Sequence, residues 1–184
     1  MNPAHPGWNP FLARTDDFRT CVSSRVIIWD DMCMRVHIGT DHAAFELKEF
    51  LSARLREGGY EVVDHGALVV DPEDDYPDFI IPCAQAVAAE EGSLGIVLGG
   101  SGNGEQIAAN KVPGIRAVLA NNVEFALLGR QHNNANVVSL GGRFVEPDAA
   151  WEIVRAFLET EYTGEERHAR RLAKLQAYEQ LRGV

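Results

Sequence analysis

Short apolar runs alternate with stretches of helical periodicity along most of this chain. The run at 94–98 lacks polar alternation, which is typical of a strand covered on both faces of its sheet. Together the runs predict five strands, at 35–39, 60–64, 94–98, 116–120 and 136–140. Near-helical spacing predicts helices at 43–56, 78–91, 105–111, 123–131, 147–160 and 165–181. The pattern predicts an α/β fold of three layers (α/β/α), with a five-stranded parallel sheet and an additional C-terminal helix.

Three turns that follow predicted strands carry residues suited to ligand binding, at 39–42, 99–104 and 141–143. In a Rossmann-like parallel sheet, ligands bind outside the carboxyl ends of the strands. We therefore expect the three turns to converge at one edge of the sheet and to form the functional site there.

The first part of the chain, 1–33, shows neither helical nor strand periodicity. Pro3, Pro6, Gly7 and Pro10 interrupt any regular element in it. We expect residues 1–33 to form a disordered or loosely docked extension, and residues 34–184 to form a single domain.

Composition narrows the classes of partner. The chain has 184 residues, of which 46% are hydrophobic, enough for one ordinary core. The formal net charge of -10 argues against general nucleic-acid binding, and no apolar run approaches the length of a membrane span. Cys21, Cys33 and Cys83 are odd in number and lack C-x-x-C spacing, so neither disulfides nor a zinc site is expected. These features favour a reducing, cytoplasmic setting and a small-molecule ligand.

The turn after the third strand reads GGSGNG and leads into a helix. Its glycines permit positive φ, and a strand–turn–helix unit directs backbone N–H groups at one point. The spacing is not G-x-G-x-x-G, and no clear ribose-binding acid follows a second strand, so a nicotinamide oxidoreductase is disfavoured. A structural turn and a site for a small anion or oxyanion remain as interpretations.

Glu105 follows this turn at the start of the next helix. The helix dipole stabilises a carboxylate at that position by about 0.3–1 kcal/mol, which is a common structural role. The same dipole would keep Glu105 ionised near neutral pH, as a general base must be. The residue alone does not decide between the two.

The pair Asp41–His42 and the residue His132 are each open to a structural and a functional interpretation. Asp41 is an N-cap candidate. With His42 beside it at the end of strand one, the pair is also suited to contact a sugar hydroxyl or a phosphate. His132 begins the run HNNAN, whose asparagines suit a loop. His132 is the residue of that run able to exchange protons near pH 7.

The C-terminal helix carries Arg167 and Arg171 four residues apart, hence on one face. They form either a solvated face or a two-armed phosphate clamp, for which guanidinium geometry is suited. Arg143, after the glycines of strand five, is a candidate third arm. The same helix bears an apolar stripe, formed by Leu172, Leu175, Tyr178 and Leu181.

Six motifs together match one known family. They lie, in order, at 41–48 (DHAAFELK), 75–77 (DYP), 95–105 (GIVLGGSGNGE) with 108–111 (AANK), 132–136 (HNNAN), 141–143 (GGR) and 167–171 (RHARR). In these motifs the chain resembles type B ribose-5-phosphate isomerases, a family that also holds galactose-6-phosphate and allose-6-phosphate isomerases. The resemblance runs from about residue 34 to 181 and does not cover the N-terminal extension.

The resemblance implies interconversion of an aldose and a ketose phosphate through an enediol(ate), without a metal or cofactor. It implies that Glu105 is the base that moves a proton between C2 and C1. His132 would assist ring opening with Asp41 on the sugar, and Asn133 would bind the sugar. The enediolate oxygen would be held by the backbone of Gly100, Ser101, Gly102, Asn103 and Gly104.

The resemblance also implies that the site lies between two subunits. The phosphate ligands that the resemblance implies are His42, Arg143, Arg167 and Arg171. One partner would supply the residues of the histidine loop, so a homodimer with shared active sites is implied.

One departure from the family pattern bears on the substrate. Many members carry a cysteine base at the position of Gly99, and this chain instead matches the subgroup whose base is a glutamate at the position of Glu105. That subgroup favours a five-carbon substrate, ribose 5-phosphate or ribulose 5-phosphate. A six-carbon sugar-phosphate isomerase and a non-catalytic phosphosugar-binding module remain as alternatives.

Overall fold

A computed structural model describes residues 33–182 of the chain. The predicted extension, 1–33, lies outside these residues except for Cys33, and its state stays a prediction. Among the described residues no helix is both long and apolar enough to cross a bilayer.

The sheet has five parallel strands in the order β2-β1-β3-β5-β4. The strands are β1 (Arg35–Thr40), β2 (Glu61–Asp64), β3 (Leu94–Gly99), β4 (Ala117–Leu119) and β5 (Val137–Gly141). The α-helices are α1 (Phe45–Glu57), α2 (Pro77–Ala89), α3 (Asn103–Ala109), α4 (Val123–Asn133), α5 (Pro147–Glu159) and α6 (Glu166–Arg182). The predicted Rossmann-like fold, with its parallel sheet and C-terminal helix, is confirmed.

Two apolar clusters cover the two faces of the sheet. One cluster packs α1, α4 and α5 against the strands, with Leu51, Ala126 and Phe157 fully buried. The other packs α2 and α3 on the opposite face, with Ile80 and Val97 fully buried. Since β3 is covered on both sides, all six of its residues are buried, as its unbroken apolar run predicts.

Helix α3 begins earlier than the predicted 105–111. Gly102 takes a φ of 78° and occupies the N-cap, so Asn103 and Gly104 already belong to the first helical turn. The end of the glycine motif is therefore part of the helix, which brings Glu105 closer to the strand than the sequence indicates.

Helices α5 and α6 differ in what they bury. Ile153, Val154 and Phe157 of α5 lie inside the core. The predicted apolar stripe of α6 stays largely outside it, because Leu175, Tyr178 and Leu181 are exposed. An exposed apolar stripe on a well-formed helix indicates a surface that a partner can cover.

Candidate active site

The three predicted turns meet at the carboxyl edge of the sheet. The N–H of Gly142 donates to the carbonyl of Gly99 at 2.8 Å, and that of Arg143 donates to Gly100 at 3.2 Å. The hydroxyl of Thr40, at the end of β1, donates to the carbonyl of Leu98 at 3.0 Å. Since β1, β3 and β5 are neighbours, their turns form one continuous surface, as predicted.

The glycines of the central turn are required by close contacts. A Cβ placed on Gly102 would lie 2.6 Å from Cδ1 of Leu119, and the residue has positive φ. A Cβ on Gly100 would lie 3.2 Å from Cζ of Arg143, so the guanidinium group rests against the bare backbone of the turn. Ser101 and Asn103 are exposed at the same turn. The turn is thus closely packed at its glycines, while its backbone remains accessible to a ligand at the exposed positions.

Glu105 folds back over the end of β3. A Cβ on Gly99 would lie 1.9 Å from Oε1 of Glu105, so the carboxylate occupies the space above that glycine. The residue is only 5% exposed. The carboxylate is therefore held at the point where β3 enters the glycine turn.

The pKa of Glu105 is shifted against the direction that the helix dipole favours. Burial raises the pKa of Glu105, and the nearby carboxylate of Asp41 adds to the shift. Hydrogen bonds from the backbone N–H groups of Gly102 and of Glu105 itself oppose it. Desolvation opposes the effect of the dipole of this seven-residue helix, and the expectation that Glu105 is ionised near neutral pH stays a prediction. A raised pKa makes Glu105 a stronger base.

Asp41 and His42 lie beside this carboxylate at the end of β1. Asp41 caps the short 3₁₀ helix His42–Ala44 by accepting the N–H of Ala43 at 3.0 Å, so its predicted capping role is confirmed. His42 Nδ1 lies 2.5 Å from Oδ1 of Asp74. That hydrogen bond is the main reason why the pKa of His42 is raised, and it favours the cationic imidazolium.

A buried lysine anchors the loop that supplies Asp74. Lys48 is fully buried, and its Nζ donates to Oδ2 of Asp64 at 2.6 Å and to the carbonyl of Ala67 at 2.7 Å. These contacts fix the start of the segment between β2 and α2, and the pair of Asp74 with His42 fixes its far part. The sequence alone shows only an acidic loop here.

A cavity of about 350 Å³ opens next to His42 and Arg143. Its wall also includes Gly142 and two acidic residues, Glu46 and Glu146. The guanidinium of Arg143 and the imidazole of His42 are the groups on this wall that suit an anion such as a phosphate. The structure thus brings together Asp41, His42, the turn 100–104, Glu105 and Arg143, as the sequence predicts.

His132 and Asn133 lie at the other edge of the sheet. They end α4, and the following Asn136 accepts the N–H of Gly95 on its carbonyl and the N–H of Arg116 on its side chain. Both donors stand where strands begin. Strand β3 has six residues, so the two edges are separated by about 16 Å at the usual rise per residue. Within one chain, therefore, His132 does not approach Glu105.

Helix α6 adds its arginines to the His132 group. The rings of His132 and His168 are stacked, with centroids 4.2 Å apart and planes at 12°. Arg167 and Arg171 are exposed near His168 on the same helix, and Arg167 Nε donates to Glu165 at 2.8 Å. The predicted site residues thus form two groups, one at each edge of the sheet.

Comparison with known proteins decides the family. The model of the ribose/galactose isomerase family matches residues 36–175. The chain belongs to the ribose/galactose isomerase family. Ribose-5-phosphate isomerase B of Mycobacterium tuberculosis is 52% identical to it over 146 residues, which cover 79% of this chain and 90% of that protein.

Solved structures of the ribose/galactose isomerase family share the fold. Ribose-5-phosphate isomerase B of Clostridium thermocellum is 44% identical to this chain, with a TM-score of 0.76. The match covers 80% of this chain and 98% of the Clostridium thermocellum chain. The Mycoplasma genitalium enzyme, solved with bound ribulose-5-phosphate, is 40% identical, with a TM-score of 0.77 and coverage of 80% and 97%.

For three residues of this chain the sequence predicts no role, although the structure shows contacts to the candidate site residues. Asp74 pairs with His42, and His168 stacks on His132. Tyr76 lies against the glycine turn, because a Cβ on Gly104 would be 3.0 Å from its Cζ. Tyr76 and His168 belong to matched motifs, but their contacts join distant segments, so no local pattern could reveal them.

One group of potential metal ligands is present among residues 33–182. Ligand atoms of Asp41, His42 and Asp74 lie within 4.8 Å of one another. Asp41 already accepts a backbone N–H, and Asp74 accepts both the backbone N–H and the ring contact of His42. These mutual hydrogen bonds hold the imidazole of His42 in place at the edge of the cavity that it lines with Arg143.

Proposed function

We propose that this protein interconverts ribose 5-phosphate and ribulose 5-phosphate through an enediol(ate), without a metal or cofactor. The observation that carries the proposal is the buried Glu105 carboxylate, held over Gly99 beside the glycine turn. The family membership supports an aldose–ketose isomerase. The ribulose-5-phosphate complex of the Mycoplasma genitalium enzyme supports a five-carbon substrate.

Glu105 moves the proton in this proposal. Its carboxylate removes the hydrogen from C2 of the open-chain aldose, and the electrons of the broken C–H bond form the C1–C2 double bond while O1 becomes the oxyanion. Glu105 then returns its proton to C1 while the proton of the C2 hydroxyl passes to O1, which gives the C1 hydroxyl and the C2 ketone of the ketose. The raised pKa of Glu105 suits it to hold that proton between the two steps.

The glycine turn stabilises the charge that develops during this transfer. The turn 100–104 follows directly on β3, and its Gly102 N–H is directed at the Glu105 carboxylate. Donors fixed in place before the reaction favour the enediolate, and one such donor is worth about 3–4 kcal/mol in other oxyanion holes. Asp41, buried beside Glu105, binds the sugar.

The phosphate does not react, and its binding positions the sugar. His42 and Arg143 provide cationic groups at the carboxyl edge. Arg167 and Arg171 lie with His132 at the amino edge, too far away to share one phosphate within a subunit. They reach the phosphate only from a second copy of the chain.

We therefore include a homodimer with shared active sites in the proposal. One subunit supplies Asp41, His42, the glycine turn, Glu105 and Arg143, and the other supplies His132, Asn133, Arg167 and Arg171. The exposed apolar side chains of α4 and α6 support an interface there, among them Phe125, Leu128, Leu175 and Tyr178. His132 would then protonate the ring oxygen during ring opening, and Asn133 would bind the sugar.

Two further parts of the proposal concern the cellular compartment and the part of the chain that carries the activity. We place the enzyme in the cytoplasm, a reducing setting supported by the free thiols of Cys33 and Cys83. We assign the activity to a single domain, 34–184, which contains the match to the family model.

The first test is conversion of ribose 5-phosphate to ribulose 5-phosphate by the purified full chain in excess EDTA. We expect turnover to survive chelation. Loss of activity that added divalent metal restores would contradict the metal-free mechanism. The ratio of kcat/KM for ribose 5-phosphate and for allose or galactose 6-phosphate tests the substrate, and preference for a six-carbon sugar would favour that alternative. Binding of all three without turnover would indicate a phosphosugar-binding module.

A further inference from the structure

His168 is the buried side chain in the exposed first half of α6. It is 5% exposed, whereas its neighbours Arg167, Ala169 and Arg170 are exposed. Its ring lies nearly parallel to that of His132, with centroids 4.2 Å apart. This inward-facing ring of α6 contacts a residue of the candidate site, and the contact holds α6 and the end of α4 in a fixed relative position.

His132 depends on this contact for its orientation. It is half-buried at the C-terminal end of α4. Among residues 33–182, the stacked ring of His168 is the contact that its imidazole makes. A histidine with one face uncovered and no hydrogen bond to its ring can rotate about χ2. The face-to-face contact with His168 selects one plane for the imidazole.

The surroundings of His168 suit it to packing rather than to proton transfer. Burial lowers the pKa of His168, with smaller contributions from His132, Arg167 and Arg171, while Glu165 opposes the shift. Its Nε2 is buried without a hydrogen-bond partner among the described residues, and the nearest carboxylate oxygen, of Glu165, is 3.9 Å away. The geometry therefore places the ring of His168 to pack against that of His132.

We propose that His168 is a positioning residue that holds the imidazole of His132 in the plane required for proton transfer to the ring oxygen of the substrate. The inference rests on the proposed function, in which His132 assists ring opening. His168 acts through His132 and does not itself touch the substrate.

The test compares His168→Leu, which removes the stacked ring, with His168→Phe, which keeps an aromatic ring of similar size. Turnover of ribose 5-phosphate should fall about 3- to 10-fold in the leucine variant, the range expected for one stacked contact, and should stay near wild type in the phenylalanine variant. Equal losses in both variants, or no loss in the leucine variant, would overturn the inference.

A second readout separates positioning of His132 from damage to the rest of the site. Ribulose 5-phosphate cannot close a furanose ring, because its 5-oxygen carries the phosphate, so exchange of its C1 hydrogen with D₂O reports proton transfer by the base alone. We expect that exchange rate to be unchanged in His168→Leu, and in His132→Asn, while both variants lose turnover of ribose 5-phosphate. Parallel loss of exchange and turnover in His168→Leu would show a structural role and overturn the inference.

The wild-type protein and His132→Asn keep the two proposals distinguishable. Absence of wild-type turnover on ribose 5-phosphate contradicts the proposed function itself. Wild-type turnover with no defect in His132→Asn contradicts the ring-opening role and, with it, the positioning role of His168. A defect in His132→Asn that His168→Leu does not share contradicts the inference alone.

Discussion

The two edges of the sheet are built differently. At the carboxyl edge Asp41 and Glu105 are 7% and 5% exposed, and close packing against glycines fixes the base and Arg143. At the amino edge Asn133, Arg167 and Arg171 are exposed, and His168 alone among the neighbouring α6 residues is buried. Side chains at the carboxyl edge are held by internal contacts, whereas most of the candidate side chains at the amino edge face outward. This difference supports the proposal that each site combines the base of one subunit with groups from a second one.

Glu105→Gln should have the largest effect, because it removes the base from the carboxyl edge while keeping its shape. We expect kcat to fall by about 10²–10⁴-fold, the range for loss of a general base, with substrate binding retained. Steady-state kinetics and calorimetric titration with ribulose 5-phosphate measure the two quantities. A kcat near that of wild type would remove Glu105 as the base.

Mixed dimers test directly whether the two edges belong to one site. A dimer of one Glu105→Gln subunit and one His132→Asn subunit, purified through two different tags, contains one site with both groups intact. We expect about half of the wild-type activity, since a two-fold dimer has two equivalent sites. Inactive mixed dimers would show that the groups do not combine across subunits.

The matched control for that experiment combines two substitutions that both lie at the carboxyl edge of the sheet. Gly99→Ala places a Cβ 1.9 Å from the present position of Glu105 Oε1 and should displace the carboxylate. A dimer of Gly99→Ala with Glu105→Gln has a damaged base in both sites, so it should show no recovery. Recovery in this pair would mean that subunit exchange restores activity by some other route.

Arg171→Ala should have a smaller effect, because it removes one of several cationic groups at the amino edge. We expect KM to rise about 10-fold, as for a lost charge-assisted hydrogen bond, with kcat little changed. Arg170→Ala, on the adjacent exposed position of α6, is the control and should leave KM near wild type. Equal effects of the two substitutions would point to general electrostatic attraction instead of a specific contact.

Asp74→Asn should have the smallest effect and should appear as a change in pH dependence. The hydrogen bond to Asp74 is the largest cause of the raised pKa of His42. Imidazolium binds phosphate below that pKa and loses its charge as the pH rises through it, so affinity should weaken on the alkaline side. Without the carboxylate the pKa of His42 falls, and the rise in KM should begin at lower pH than in wild type. An identical KM profile would separate Asp74 from phosphate binding.

The sequence predicts the fold and the carboxyl edge well, because both depend on local patterns. Apolar runs define the strands, glycines define the turns, and Asp41 caps the helix turn expected for it. The raised pKa of Glu105 is not predictable in this way, since its desolvation depends on a side chain folding back over Gly99. The contacts of Asp74 with His42 and of His168 with His132 join distant segments. The separation of the two groups of site residues follows from the direction in which α4 returns across the sheet.

The contact between Gly99 and Glu105 also limits which side chains position 99 can accept. Any Cβ there would overlap the carboxylate of Glu105 in its present place. A second candidate base, such as a cysteine thiol, could therefore be placed at position 99 only if Glu105 moved or was replaced as well. The two positions are coupled sterically, so the effect of a substitution at position 99 depends on the residue six positions along the chain.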